Sequence, residues 1–171
     1  MSKDKEIAKK TVQTEIQALK KLLSSFNGSS NFSKAVNLLS KMKGKCLVVG
    51  VGKSYIVSLK VSATLSSLGT PSVAFSANDL QHGGLGAIQK NNDVLLIFSV
   101  SGESSELNSI LRYANRNSIP VIGVSCKSSS MLLRYSSIKI LLPKVFEAGH
   151  SYRCQDRSRL QPSRSLRLIR L

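Results

Sequence analysis

The period of the apolar positions changes near residue 45. Before it, Ile7, Val12, Ile16, Leu19, Leu22, Leu23 and Phe26 recur at helical spacing over residues 5–26. The polar stretch NGSSN (27–31) interrupts that pattern, and a second short helix is predicted over 32–42 with Phe32, Ala35, Val36, Leu38 and Leu39 inward. Beyond it come five short, continuous apolar runs: CLVVGV (46–51), SVAFS (72–76), DVLLIFSV (93–100), VIGVSC (121–126) and IKILLP (138–143). Unbroken runs predict strands buried on both faces of a parallel sheet, whereas one-sided strands alternate. Helix-like segments lie between them, notably 53–68 and 104–117, and only the interval 127–137 is short. Alternating strand and helix predicts an α/β fold, a three-layer, doubly wound five-stranded parallel sheet preceded by N-terminal helices.

Such a sheet binds ligands beyond the carboxyl ends of its strands, where the strand order switches. The loops after Val51, Ser76, Val100, Cys126 and Pro143 are therefore the places to look for function. GVGKS (50–54) follows the first strand but lacks the spacing of a P-loop, since Leu47 stands five residues before Gly52. It also lacks the third glycine of a dinucleotide fingerprint, where Tyr55 stands. What remains is a glycine turn that opens a helix, and Lys53 is either solvated or set against an anion over the sheet edge.

FSVSGESSE (98–106) has two physical readings. Ser99, Ser101, Ser104 and Ser105 surround Gly102 where the third strand gives way to a helix, and helix N-termini attract anions. Small hydroxyls and a close-approaching glycine backbone would make a phosphate cradle there without arginine. The serines could instead serve as N-caps, with Glu106 completing a capping box. One serine suffices for capping, and here there are four.

Charge adds little to this picture. The net charge is +16, but it is spread unevenly. Residues 1–45 carry ten Lys/Arg against three acids (+7), residues 46–150 nine against five (+4), and residues 151–171 six against one (+5). The segment that holds the motifs is only mildly basic. Aromatics make up 5% of the chain and do not interleave with basic runs, so nucleic-acid binding is not expected. No apolar run reaches the roughly 18–20 residues of a membrane span. The charged start MSKDKEIAKK is no secretory signal. Cys46, Cys126 and Cys154 are scattered and odd in number, which fits a reducing, cytoplasmic compartment and no metal cluster.

GVGKS, SLGTPS (67–72), HGGLG (82–86), SVSGESSE (99–106) and EAGH (147–150) together resemble, in order and spacing, the sugar isomerase (SIS) domain. They are most similar to the arabinose-5-phosphate isomerases, over about residues 40–150. The resemblance implies interconversion of D-arabinose 5-phosphate and D-ribulose 5-phosphate, a step that supplies the Kdo sugar of lipopolysaccharide. It further implies no nucleotide cofactor and a homo-oligomer, a tetramer in the family, with sites near subunit boundaries.

Carried over by position, the catalytic candidates are Lys53, His82, Glu106 and Glu147. The substrate-binding candidates are Gly52, Ser54, Gly69, Thr70, Ser99, Ser101, Gly102 and Ser104. Aldose–ketose exchange moves a proton between C1 and C2 through an enediolate, which calls for a carboxylate base. That is Glu106 or Glu147. Lys53 would meet the developing charge, and His82 would open the furanose ring. Ser76 stands where relatives place a metal-binding histidine, so no metal is expected there, and Gly84 replaces an acid of the family's HGDLG.

The resemblance stops near Ser151. Relatives continue with an alanine-rich APTSSTT-type segment, a long helix, an HPGG histidine and often paired CBS modules. This chain shows six arginines in residues 151–171. Codons exist for SYRCQDRSRLQ that, read one nucleotide later, give AIGAKIAPASS, so the expectation is a frameshifted, truncated member. A basic tail with a role of its own is the alternative. The organisation expected is 1–44 N-terminal helical region, 45–150 SIS sugar-phosphate domain and 151–171 non-family tail. Loss of the closing helix is expected to uncover the sheet near strands one and five. The rivals to an enzyme are a sugar-phosphate-binding regulatory module and an inactive remnant.

Overall fold

A computed structural model describes residues 3–26 and 30–145, so Glu147 and the basic tail lie outside the described residues. The chain divides into two units. One contains helix α1 (Lys3–Ser25) up to Ser24 and, among the described residues, Lys144 and Val145; the other covers Ser25–Pro143. Within the second unit, α2 (Asn31–Ser40) joins the sheet, although the sequence grouped it with the N-terminal region.

The sheet consists of β1 (Cys46–Gly50), β2 (Ser72–Ser76), β3 (Val94–Phe98), β4 (Val121–Ser125) and β5 (Ile138–Leu141). All neighbours are parallel, in the order β2-β1-β3-β4-β5. Between the strands run α3 (Lys53–Ser67), α4 (Ala77–Gln81) with a 3-10 turn at Gly84–Ala87, α5 (Leu107–Arg116) and α6 (Met131–Tyr135). The doubly wound α/β fold expected from the alternation is the one that forms.

Two clusters of side chains explain why it holds. Leu47, Val49, Leu95, Ile97 and Val121 point to the face covered by α4, α5 and α6. Cys46, Val48, Val94, Leu96, Ile122 and Val124 point to the other, under α2 and α3. Each central strand thus buries both faces, which is why its run of apolar residues is unbroken. Helix α5 contributes Leu107, Ile110, Leu111 and Ala114 at i, i+3, i+4 and i+7, all buried. Each such Leu or Ile stabilises the fold by about 1.5–3 kcal/mol.

Several expectations need correction. β1 is fully buried, so the predicted uncovering near strand one is absent among the described residues. β2 is only half-buried and β5 alternates, with Leu141 exposed, because both are edge strands. Phe32 and Val36 of α2 are exposed rather than inward; Ala35, Leu38 and Leu39 make its contact with the sheet. Much of the apolar stripe of α1 is exposed as well.

The amino edge of the sheet is locked by one carboxylate. Asp93 Oδ1 accepts from the Lys45 N–H at 2.8 Å, and Oδ2 accepts from Lys45 Nζ at 2.9 Å and the Gln89 N–H at 2.8 Å. Burial works against its ionisation. The bonds from Gln89 and Lys45 outweigh that and hold its carboxyl below the ordinary value. Gly44 must be glycine here, since a Cβ would collide with Asp93 and Asn92. Burial, with the nearby Asp93 charge, pushes the Cys46 thiol up to about 12, so it packs as an inert hydrophobe.

Candidate active site

The strand order reverses between β1 and β3, where Gly50 is level with Phe98. The turn after β1 and the loop after β3 therefore emerge side by side at the carboxyl edge, the usual ligand position in such sheets.

The first turn is tight. Gly52 adopts φ +54° and caps α3, while the Ser54 and Tyr55 N–H groups donate to Val51 O and Gly52 O, each at 3.0 Å. A Cβ on Gly50 would run into the Ser54 backbone, so this glycine lets the helix start directly over the strand end. Lys53, the first residue of α3, is exposed, and Ser54 is half-buried. A free ammonium at a helix N-terminus is a place for an anion.

The loop after β3 divides its serines between two jobs. Ser99 is buried; its N–H donates to Val124 O at 3.1 Å, and its Oγ accepts from the Gly102 N–H at 3.0 Å. Its hydroxyl is thus part of the loop's own frame. Gly102, at φ +64°, is wedged against the next loop: an added Cβ would lie 2.5 Å from Ser130 Cβ and 2.9 Å from Ser125 Oγ. Its carbonyl accepts from the Leu132 N–H at 3.0 Å. Ser101 and Ser105 are exposed and Ser104 is half-buried. Ser101 Oγ accepts from the Glu103 N–H at 3.3 Å and keeps its own O–H to donate.

Helix α5 begins later than the periodicity predicted, at Leu107 rather than 104. The Leu107 and Asn108 N–H groups close a turn on Ser104 O and Ser105 O before the regular helix. Glu106 is therefore the N-cap residue, and it forms no capping box. Its half-buried carboxylate accepts from Ser105 Oγ at 3.2 Å. Its backbone carbonyl accepts from the Gln81 side-chain amide. Gln81 ends α4 and His82 is the next residue, so this bond ties the exposed His82 turn to Glu106.

Sequence reasoning missed the groups that support the site. Gln81 is one. Ser125 Oγ donates to Val100 O at 3.1 Å and accepts from the Lys127 N–H at 3.2 Å. Lys127 Nζ donates to Glu103 Oε1 at 2.8 Å, which holds the Glu103 carboxyl below its ordinary value. The only signal for them was their place in a loop at the carboxyl edge. Ser76, where no metal was expected, instead caps α4: its Oγ accepts from the Asp79 N–H and donates to Asp79 Oδ2.

Two candidates do not come to this place. Gly69 and Thr70 lie at the far end of α3, just before β2, and Pro71 O accepts from the Cys46 N–H at the amino edge. Lys53 opens the fifteen-residue helix α3 and they follow its far end, about 21 Å of rise away. Glu147 lies outside the described residues.

Known families and proteins match this chain over most of its length. The family model of the SIS domain matches residues 38–154. The arabinose 5-phosphate isomerase KdsD of Francisella tularensis is 35% identical over 138 residues, covering 79% of this chain and 41% of that protein. KdsD of Pseudomonas aeruginosa is also 35% identical, over 78% of this chain and 40% of its own length. The chain thus spans about two fifths of the curated relatives it matches. Among solved structures, the c3406 protein of E. coli CFT073 in complex with arabinose 5-phosphate superposes with a TM-score of 0.79 at 28% identity, covering 95% of this chain and 82% of that one. A matched region that holds both the β1 turn and the serine loop, on a sheet of this order, leads to one conclusion: the chain belongs to the SIS domain family.

Proposed function

We propose that this chain is a sugar-phosphate isomerase that interconverts D-arabinose 5-phosphate and D-ribulose 5-phosphate, in the cytoplasm, on the route to lipopolysaccharide sugar. The observation that carries this reading is the convergence at the β1/β3 switch. There the Gly52–Lys53 turn, the serine loop and the His82–Glu106 pair of turns share one sheet edge. Ser101, Ser104 and the start of α5 receive the phosphate, with Ser54 on the facing turn. Glu106, whose carboxylate is not spent on capping, takes the proton from C2 of the open-chain aldose. The electron pair moves to form the enediolate, and Lys53 meets the charge on its oxygen. Glu106 returns the proton to C1 and the hydroxyl proton passes from O2 to O1, giving the ketose. His82 assists ring opening, and Glu147 is the second carboxylate on this reading.

Gly69 and Thr70 stand at the opposite sheet edge. They reach a phosphosugar site only if a neighbouring copy in a homo-oligomer supplies them. The test is thermal unfolding of the purified chain with and without millimolar arabinose 5-phosphate, followed by a turnover assay. A ligand that binds only the folded state raises Tm by mass action. An upward shift that Ser101→Ala removes supports the cradle, whereas an unchanged Tm overturns it.

A further inference from the structure

The amino edge of the sheet, opposite the β1 turn and the serine loop, holds a cleft of about 280 Å³. Its walls are the turn after α2 and the turn before β3. The Gly44 N–H donates to Asn92 O at 2.9 Å and the Val94 N–H to Lys45 O at 3.2 Å, so the walls are stapled together before any ligand arrives. Leu38, Met42, Val94 and Pro120 supply an apolar lining. The polar lining is Lys41, Lys43, Asn91 and Asn92, and behind it Asp93. Asp93 is 0% exposed and its charge is met by Lys45, so it does not repel an anion at the mouth. Among the described residues Lys41 and Lys43 are in no ion pair, and the side-chain amides of Asn91 and Asn92 make no hydrogen bond. Exposed lysines are ordinarily solvated, and one at a helix C-terminus offsets the helix dipole. Lys41, the C-cap of α2, answers to that description, and Lys43, two residues further, does not.

We propose that this cleft is a second binding site, for a small phosphomonoester with an apolar body. A phosphomonoester carries close to two negative charges at neutral pH, which matches two ammonium groups in one cleft, whereas a carboxylate matches one. The free asparagine amides add uncharged donors for the remaining phosphate oxygens. The volume equals that of about nine waters, enough for the phosphate and a single ring. The body has to be apolar because Leu38, Met42, Val94 and Pro120 offer no partner to a row of hydroxyls, and the one carboxylate behind them is already engaged. The cleft therefore selects against the polyhydroxy phosphate proposed for the other edge. This inference goes beyond the sugar-phosphate reading and rests on none of its residues.

The test labels the methionine methyl groups with carbon-13 and follows them by NMR in the full chain. Met42 lines the cleft, whereas Met131 opens α6 beside Leu132, whose N–H donates to Gly102 O, so the two signals report the two edges separately. Met42→Leu and Met131→Leu assign them. Phenyl phosphate should move the Met42 signal and saturate. Lys41→Ala with Lys43→Ala, both at exposed positions, should weaken that binding at least about tenfold. Inorganic phosphate and phenol, each lacking one half of the ligand, should each bind at least about tenfold more weakly. Ser101→Ala should leave the Met42 titration unchanged. A Met42 signal that stays still while Met131 moves overturns the proposal and leaves the carboxyl-edge cradle standing. A shift that never saturates, or that survives in the double lysine variant, overturns it too. So does phenol binding as tightly as phenyl phosphate, or arabinose 5-phosphate moving Met42 as strongly.

Discussion

The two edges of the sheet use the same polar chemistry for opposite ends. At the amino edge, the Asp93 carboxylate is 0% exposed and meets three donors, and Gly44 leaves it no slack. At the carboxyl edge, Glu106 has a single hydroxyl donor at 3.2 Å, and Lys53, His82 and Ser101 are exposed. A carboxylate closed off from solvent, with donors on both oxygens, stabilises the fold and is out of reach of a substrate. One with open acceptors contributes little to stability and is available to a substrate. The loop that holds the second kind is itself held by bonds of the first kind: Ser99, Gly102 and Ser125 each bond to backbone groups of the same or the next loop.

That contrast can be broken from either side. Glu106→Gln is isosteric, and the side chain makes no cap bond to lose. It should leave Tm within a degree or two and, on the proposed function, lower kcat by a factor of about 10²–10⁴ in an isomerase assay. A loss of Tm as large as that of an amino-edge variant would show that Glu106 is structural. Asp93→Ala should do the reverse. Removing the carboxylate leaves the Lys45 and Gln89 N–H groups without their acceptor, which costs about 2 kcal/mol, read as a lower urea midpoint, and leaves ligand binding by the folded fraction unchanged.

The pH dependence sharpens the same point. The folded-state carboxyl of Asp93 lies below its unfolded value, so the stability it contributes is fully present above about pH 4, the unfolded pKa. It is lost as pH falls through the folded value. Urea unfolding between pH 7 and pH 3 should therefore fall more steeply for the wild type than for Asp93→Asn. Parallel curves would refute the lock.

Gly102→Ala should cost about 2 kcal/mol, from strain at φ +64° and a clash with Ser130, and should weaken phosphosugar binding as well. The smallest effect belongs to Glu103→Gln. Its ion pair with Lys127 is exposed on both sides, and its loss should leave the urea midpoint unchanged within the error of the measurement.

The unbroken apolar runs at 46–51, 93–100 and 121–126 were enough to predict central parallel strands, because a strand covered on both faces has no position left for a polar side chain. The helix-like segment 104–117 likewise announced α5, and the serine–glycine composition of 98–106 marked the loop as a site. Local pattern does not say which strand is central and which is an edge, so β2 and β5 read as buried and are half-open. Nor does it say how much of the apolar stripe of α1 is covered. Only the packed chain put Gln81 onto Glu106, set the Ser99 hydroxyl against the Gly102 N–H, and sent Gly69 and Thr70 to the far edge from Lys53. Residue types and short spacings are written in the chain and dictate the elements and the chemistry on offer. Which of those groups meet, and which are already satisfied, depends on contacts between residues distant in sequence, and those exist only once the sheet has formed.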